Sequence, residues 1–313
     1  MSEIIAVAGG GSIGVSFALL FARAGAEVRV FEPNAARRAS VLEELSAKAK
    51  PLAEAGLLEE SPGTLTARVL VTGDLMKATA NADLVQECVP ERAEIKTAFF
   101  RDLSTAPILK DTVVASSSSA LTASVTAHGT GLEEQILVAH PGNPPHLIPV
   151  IEVVPSPNTR TEITDRALAI YREAGLSPVL VRQEVEGFLF NRLQGAVLRE
   201  AYALVRDGVA TVEDIDTVMR DGLGRRWAFM GPFETVDLNT RGGITAHAER
   251  MGSAYERMGA ERGQHDPWTT DLVANVNQQR RKVLPLDQWE ERVAWRDQLL
   301  LTNLITRTRK ETP

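Results

Sequence analysis

The segment from Glu3 to Gly14 constrains the fold more than any other. An apolar run, Ile4-Ile5-Ala6-Val7-Ala8, passes directly into Gly9-Gly10-Gly11-Ser12-Ile13-Gly14 and then into a helical pattern, Val15–Ala24. In a G-x-G-x-x-G loop between strand and helix, Gly9 makes the tight turn, Gly11 lets the backbone approach a pyrophosphate, and Gly14 lets helix and strand pack closely. The free N–H groups near Ser12 and Ile13, at the positive end of the helix, then face the phosphates. Such an opening predicts a βαβ unit and a dinucleotide-binding sheet.

The same alternation repeats along the chain. Short β-rich runs occur at Glu27–Phe31, Arg68–Thr72, Asp83–Val89, Thr112–Ala115, Gln135–Ala139, Val150–Val154 and Pro178–Val181. Helical patterns lie between several of them, at Ala35–Ala55, Ala93–Ser104 and Glu162–Ala174. Strands alternating with helices imply parallel crossovers. From Gly187 onward the chain reads as helices only: Phe188–Asp207 ending at Gly208, a second opened by Thr211 with Asp214 three residues on, and three more over Thr245–Met258, Thr269–Val283 and Leu286–Arg309. A stretch rich in Gly and Arg, Gly222–Gly231, reads as a loop. The expected fold is therefore α/β: a Rossmann-like doubly wound sheet over residues 1–186, followed by an all-helical domain over 187–313.

Composition narrows the partners. With 34 Lys+Arg against 41 Asp+Glu, the net charge of -7 provides no basic footprint for nucleic acid. No run approaches the roughly 18 apolar residues of a membrane helix. Cys88 is the only cysteine, so neither an internal disulfide framework nor a Cys-based metal site can form. The N-terminal residues lack a basic, cleavable leader, and the expected location is the cytoplasm.

Glu32 ends the second strand, 18 residues after Gly14, where an acid accepts hydrogen bonds from an adenosine ribose and repels a 2′-phosphate. NAD is the expected cofactor. Arg37 and Arg38 could accommodate a phosphate, but they sit in the next helix and read as a solvated face. Polar residues also cluster at strand ends in Glu87–Glu91, Ser116–Ser119 and His140–Asn143. Glu152 differs from these, being a carboxylate inside an apolar strand, where burial without a partner is costly. His140, in a neighbouring run, is an available partner, and a carboxylate that fixes a histidine tautomer makes a general base. Hydride transfer from a secondary alcohol needs such a base.

With these residues in view, the chain resembles the 3-hydroxyacyl-CoA dehydrogenase superfamily, and within it the λ-crystallin/L-gulonate 3-dehydrogenase branch. The likeness runs through GGGSIG at Gly9–Gly14, ECVPE at Glu87–Glu91, SSSSA at Ser116–Ala120 and AHPGNPP at Ala139–Pro145. It continues in VIEVVP at Val150–Pro155, EGFLFNRLQ at Glu186–Gln194, DGLGRRWAFMGPFET at Asp221–Thr235 and WRDQ at Trp295–Gln298. The resemblance implies His140 as general base with Glu152 as its orienting partner, Ser119 and Asn191 around the reacting hydroxyl, and Asn143 near the nicotinamide. It implies Glu91 and Lys96 as contacts to the cofactor's ribose or amide region, and a homodimer formed through the helices.

The histidine loop here is His140-Pro141-Gly142-Asn143-Pro144-Pro145, where the acyl-CoA enzymes look more like H-F-F-N-P. The Gly224–Phe229 stretch is also longer than theirs, and no residues that would cradle a CoA nucleotide stand out. A free 3-hydroxy acid is the expected substrate, L-gulonate first and carnitine-like acids next. Arg226, with Arg225 as rival and Trp227 and Phe229 beside it, is the expected carboxylate anchor. The other readings are a 3-hydroxyacyl-CoA dehydrogenase, a structural NADH-binding protein of the crystallin kind, and a nucleotide-dependent sensor.

Overall fold

A strand covered on both faces must send alternate side chains to two different layers. In the computed structural model, which describes residues 1–228, 230–239 and 243–263 and scattered positions between 270 and 305, β1 (Ile4–Ala8) does this. Ile5 and Val7 join one core cluster, and Ala6 and Ala8 the other. Along the chain come α1 (Ser12–Arg23), β2 (Glu27–Phe31), α2 (Ala35–Glu54), α3 (Pro62–Ala67), β3 (Val69–Thr72), α4 (Leu75–Thr79) and β4 (Leu84–Glu87). After these lie α5 (Ala93–Ser104), β5 (Val113–Ser116), α6 (Ala123–Thr126), β6 (Ile136–Pro141), β7 (Val150–Pro155), α7 (Thr161–Glu173) and β8 (Ser177–Leu180).

The strands form one sheet in the order β3-β2-β1-β4-β5-β6-β7-β8, so all eight expected runs are strands of a doubly wound α/β fold. One pair departs from the expected parallel pattern. β6 and β7 are antiparallel, with His140 directly opposite Glu152. The segment 142–149 between them is a tight turn, too short for the crossover that a parallel pair needs.

On one face Phe17 and Phe21 of α1 stack at 6.0 Å and Tyr171 of α7 lies 6.3 Å from Phe21. On the other, Phe99, Phe100 and Leu103 of α5 cover Val85 and Val114. α3 and α4 were not expected from the sequence; each is only a turn or two, too short to display a period, and each is started by a side-chain cap, Ser61 and Asp74 respectively.

The chain divides into two compact units, Met1–Arg192 with Ala294–Pro313, and Leu193–Val293. The C-terminal stretch is thus counted with the first unit, not with the helical domain in which the sequence reading puts it, and Leu301 is buried in that unit's core. The helical region contains α8 (Phe190–Arg206), α9 (Val212–Thr217), a π-helical turn at Val218–Leu223, α10 (Gly224–Trp227), α11 (Pro232–Asn239) and α12 (Gly243–Arg262). Thr211 and Asp214 form the expected capping box at the start of α9.

The stretch expected as a Gly/Arg loop is helical up to Trp227. Gly224 allows this, because a Cβ there would stand 2.7 Å from the Met219 carbonyl that closes the wide turn. The helices expected over Thr269–Val283 and Leu286–Arg309 fall largely outside the described residues. Among the described residues no helix is long and apolar enough to cross a membrane.

Candidate active site

β1, β4, β5 and β6 run parallel, so their carboxyl ends share one edge of the sheet, where open α/β sheets bind ligands. That edge carries Gly9–Gly14, Glu87–Glu91, Ser116–Ser119 and His140.

The glycine loop has the geometry its spacing implies. Gly9 has a φ of 113°, and a Cβ on it would come 2.5 Å from the Cys88 carbonyl oxygen. A Cβ on Gly14 would come 1.9 Å from the Gly9 carbonyl oxygen, whereas Gly11 faces open space with nothing within 4 Å. The first turn of α1 carries no acidic residue and no side-chain cap. Its N–H groups are available to an anion, and these residues fit a dinucleotide pyrophosphate. Lys48 of α2 adds a cation beside them, its Nζ 3.5 Å from Ser12 Oγ.

Glu32 closes the loop from the β2 side. Its Oε2 accepts from the Gly10 N–H at 2.9 Å and its Oε1 from the Asn34 N–H at 2.9 Å. Arg37 and Arg38 are not the solvated face expected of them. Both are half-buried: Arg37 Nε donates to the Gly10 carbonyl at 2.6 Å, and Arg38 donates to the carbonyls of Glu32 and Pro33 at 2.8 and 2.7 Å. Arg38 is spent on backbone, while Arg37 also donates to Ser40 Oγ at 3.1 Å and pairs with Glu44, so that Arg37 ties the glycine loop to α2.

Glu91 and Lys96 belong to a charged cluster. Lys96 is fully buried, and its Nζ donates to Glu87 Oε1 and Oε2 at 2.8 and 3.0 Å and lies 3.1 Å from Glu91 Oε2. Ser116 Oγ donates to Glu87 at 2.5 Å, while Glu91 Oε1 accepts from Ser118 Oγ at 2.5 Å and from the Ser119 N–H at 2.9 Å. Burial pushes the Glu87 carboxyl up, against the pull of Lys96. Burial also acts upward on Glu91, but the bonds from Ser118 and Lys96 outweigh it and hold that carboxyl below its ordinary range. Lys96 was expected as a cofactor contact; its side chain has no exposed surface, and of the two carboxylates it bonds, Glu87 is equally buried while Glu91 is 41% exposed.

The antiparallel register sets His140 against Glu152. His140 Nδ1 is 2.8 Å from Glu152 Oε2, with His140 7% and Glu152 2% exposed. The other oxygen, Oε1, accepts from the N–H groups of Leu189 and Phe190 at 2.6 and 2.9 Å, so the carboxylate also seats the start of α8. The chain is turned into that position at Gly187 and Phe188, with φ of 77° and 49°. Phe188 and Phe190 then stand with ring centres 5.7 and 6.2 Å from the imidazole. An ionised Glu152 holds the proton on Nδ1, which leaves the Nε2 lone pair as the basic site.

Asn191 Nδ2 donates to the Ser119 carbonyl at 3.0 Å, joining those two predicted residues through backbone and leaving the Ser119 hydroxyl outside the contact. Asn143 is exposed on the turn after His140. Arg225 and Arg226 are exposed on α10 in the second unit, as is Trp227, while Phe229 lies outside the described residues. Sequence reasoning missed the backbone donors at Leu189 and Phe190, and Gly187 before them was the only available signal.

A basic imidazole nitrogen beside a dinucleotide loop suits the removal of a hydroxyl proton as the carbon is oxidised. The chain is an NAD-dependent oxidoreductase acting on CH–OH groups. It belongs to the 3-hydroxyacyl-CoA dehydrogenase family, whose NAD-binding domain matches residues 4–185 and whose C-terminal domain matches residues 187–283. A lambda-crystallin homolog from Bos taurus is 39% identical over 95% of this chain and 93% of its own. The L-carnitine dehydrogenase of Oceanobacillus iheyensis is 33% identical over 85% of this chain and 82% of its own. Among solved structures, 5-formyl-3-hydroxy-2-methylpyridine 4-carboxylic acid 5-dehydrogenase, an NAD-dependent dismutase, is 28% identical with a TM-score of 0.83, and the match covers 100% of both chains.

Proposed function

We propose that the protein oxidises the 3-hydroxyl of a small free hydroxy acid, L-gulonate to 3-dehydro-L-gulonate being the leading case. His140 is the general base and Glu152 its orienting partner. The observation that carries the reading is the 2.8 Å contact between His140 Nδ1 and a carboxylate whose second oxygen is already committed to two backbone donors. Fixed from behind in this way, the imidazole takes up the hydroxyl proton at Nε2, and the buried carboxylate stabilises the imidazolium that forms. Bound NAD supplies the acceptor for the hydride that leaves the same carbon. Ser119 and Asn191 position the hydroxyl, Asn143 and Glu91 border the nicotinamide half, and Glu32 selects the unphosphorylated ribose.

Two relatives support a free acid over a thioester, since their names specify L-carnitine and a pyridine carboxylic acid. Arg226 is proposed to grip the substrate carboxylate through paired hydrogen bonds. L-Carnitine is the second reading, favoured by the carnitine dehydrogenase likeness. The assembly is proposed to be a homodimer, supported by exposed apolar side chains on the helical unit, Leu193, Val209, Val218 and Phe233 among them. We place the activity in the cytoplasm, where NAD and a reduced Cys88 coexist.

The test is a panel of L-gulonate, L-carnitine, 3-hydroxybutyrate and 3-hydroxybutyryl-CoA with NAD, followed as NADH absorbance. Higher kcat/KM for a free acid is expected, and preference for the thioester would overturn the substrate assignment. Arg226→Met should raise KM for the acid, with Arg226→Lys recovering it only in part.

A further inference from the structure

Two parts of this site must keep a fixed separation: the first turn of α1, where the cofactor phosphates sit, and the turn after His140. The structure links them by a polar chain separate from the roles already assigned. His146 lies in the 142–149 turn, 8% exposed, with its Nδ1 3.2 Å from Ser16 Oγ in α1. Ser16 Oγ in turn donates to the Ser12 carbonyl at 2.8 Å. With the hydroxyl proton committed to Ser12, the Ser16 oxygen accepts, and His146 must carry its proton on Nδ1. Burial, together with the nearby charges of Lys48 and Arg23, pushes the His146 imidazole down to about 4 against a weaker pull from Asp297, so it is neutral near pH 7.

The turn is stiff enough to transmit this contact. The N–H groups of Leu147 and Ile148 both donate to the Pro144 carbonyl, at 3.0 and 2.9 Å, and the Gly142 N–H donates to the Val150 carbonyl at 2.9 Å. Gly142 is pressed against Ile148 so closely that a Cβ would stand 2.4 Å from its Cγ2. A displacement at His146 is therefore carried to Asn143 and to the strand end bearing His140.

We infer that His146 is a positioning residue that, through Ser16, holds the turn after the proposed base in register with the first turn of the cofactor helix. The kinetic consequence rests on the dehydrogenase reading; the mechanical one does not. Misplacement on the order of 1 Å between reacting groups costs up to about 100-fold in rate.

Two measurements test the link. Amide hydrogen exchange with and without NADH should show, in the unmodified protein, slowed exchange both at Gly9–Ser16 and at Gly142–Ile148. His146→Leu should keep the first protection and an NADH Kd within about threefold, and lose the second. His146→Asn, whose side-chain N–H can occupy the Nδ1–H position, should restore it. Ser16→Ala should reproduce the loss and serves as the test if His146→Leu does not fold, and the double variant should be no worse than either single one. In turnover, His146→Leu should lower kcat by roughly 10–100-fold with little change in KM for NAD. Equal protection of Gly142–Ile148 in His146→Leu and the unmodified protein would overturn the inference, as would its absence in the unmodified protein. Loss of thermal stability without rescue by Asn would reduce His146 to packing. A protein that binds NADH but oxidises no hydroxy acid would defeat the dehydrogenase reading while leaving the exchange result to stand.

Discussion

Glu152 answers two demands with one side chain, since one oxygen orients His140 and the other receives the start of α8. Removing the base and removing its support should therefore look different. His140→Gln should lower kcat by about 10²–10⁴-fold with NADH affinity, read by fluorescence titration, nearly unchanged; a variant that keeps most of its kcat would end the assignment. Glu152→Gln should also loosen α8, with a lower melting temperature by circular dichroism. His146 makes a separate prediction. Its folded value of about 4 lies below the ordinary 6.5, so between these pH values the unfolded chain holds a proton that the native one does not. The stability that His146 contributes is full above about pH 6.5 and falls as pH drops toward 4, and His146→Asn should show a flatter melting-temperature profile across that window. The sequence made His140 and Glu152 legible because an acid inside an apolar strand needs a partner. It hid the burial of Lys96, because a lysine in a helical pattern normally faces water.

The glycine loop separates two effects that sequence motifs merge. Gly14→Ala would put a methyl 1.9 Å from the Gly9 carbonyl oxygen and should disrupt the β1–α1 junction, whereas Gly11→Ala meets nothing within 4 Å and should fold normally. For Gly11→Ala the expected result is an unchanged melting temperature without ligand and a Kd for NADH raised at least about tenfold, and normal NADH binding by Gly14→Ala would refute the packing role. Apolar runs bounded by turn residues made all eight strands readable. Two features of this size were not. The direction of β7 depends on how the 142–149 turn folds, which period-two patterning does not encode. The helix through Val218–Trp227 was obscured because glycine is ordinary loop punctuation, while here the missing side chain at Gly224 is what lets the wide turn close.

At the scale of the molecule, the proposed homodimer should sediment as two chains, and Phe233→Asp, at a side chain 77% exposed, should shift it toward one chain if the helical surface forms the interface. Sedimentation of the unmodified protein as a single chain would remove that assembly. The first unit was readable in outline from sequence alone, but its C-terminal stretch was not, since the return of Leu301 to a core begun at Ile5 leaves no local pattern. The single thiol draws one more consequence from the tight turn at Gly9, which rests against the Cys88 carbonyl. Cys88 is half-buried, and its desolvation together with the neighbouring Glu87 charge pushes the thiol up to about 12, so at pH 8 its thiolate is scarce by roughly three orders of magnitude relative to a free cysteine. A disulfide reagent should consequently react with each native molecule slowly and at one place, and the rate becomes a gauge of how far the strand end beside the nucleotide loop is covered, which NADH should lower.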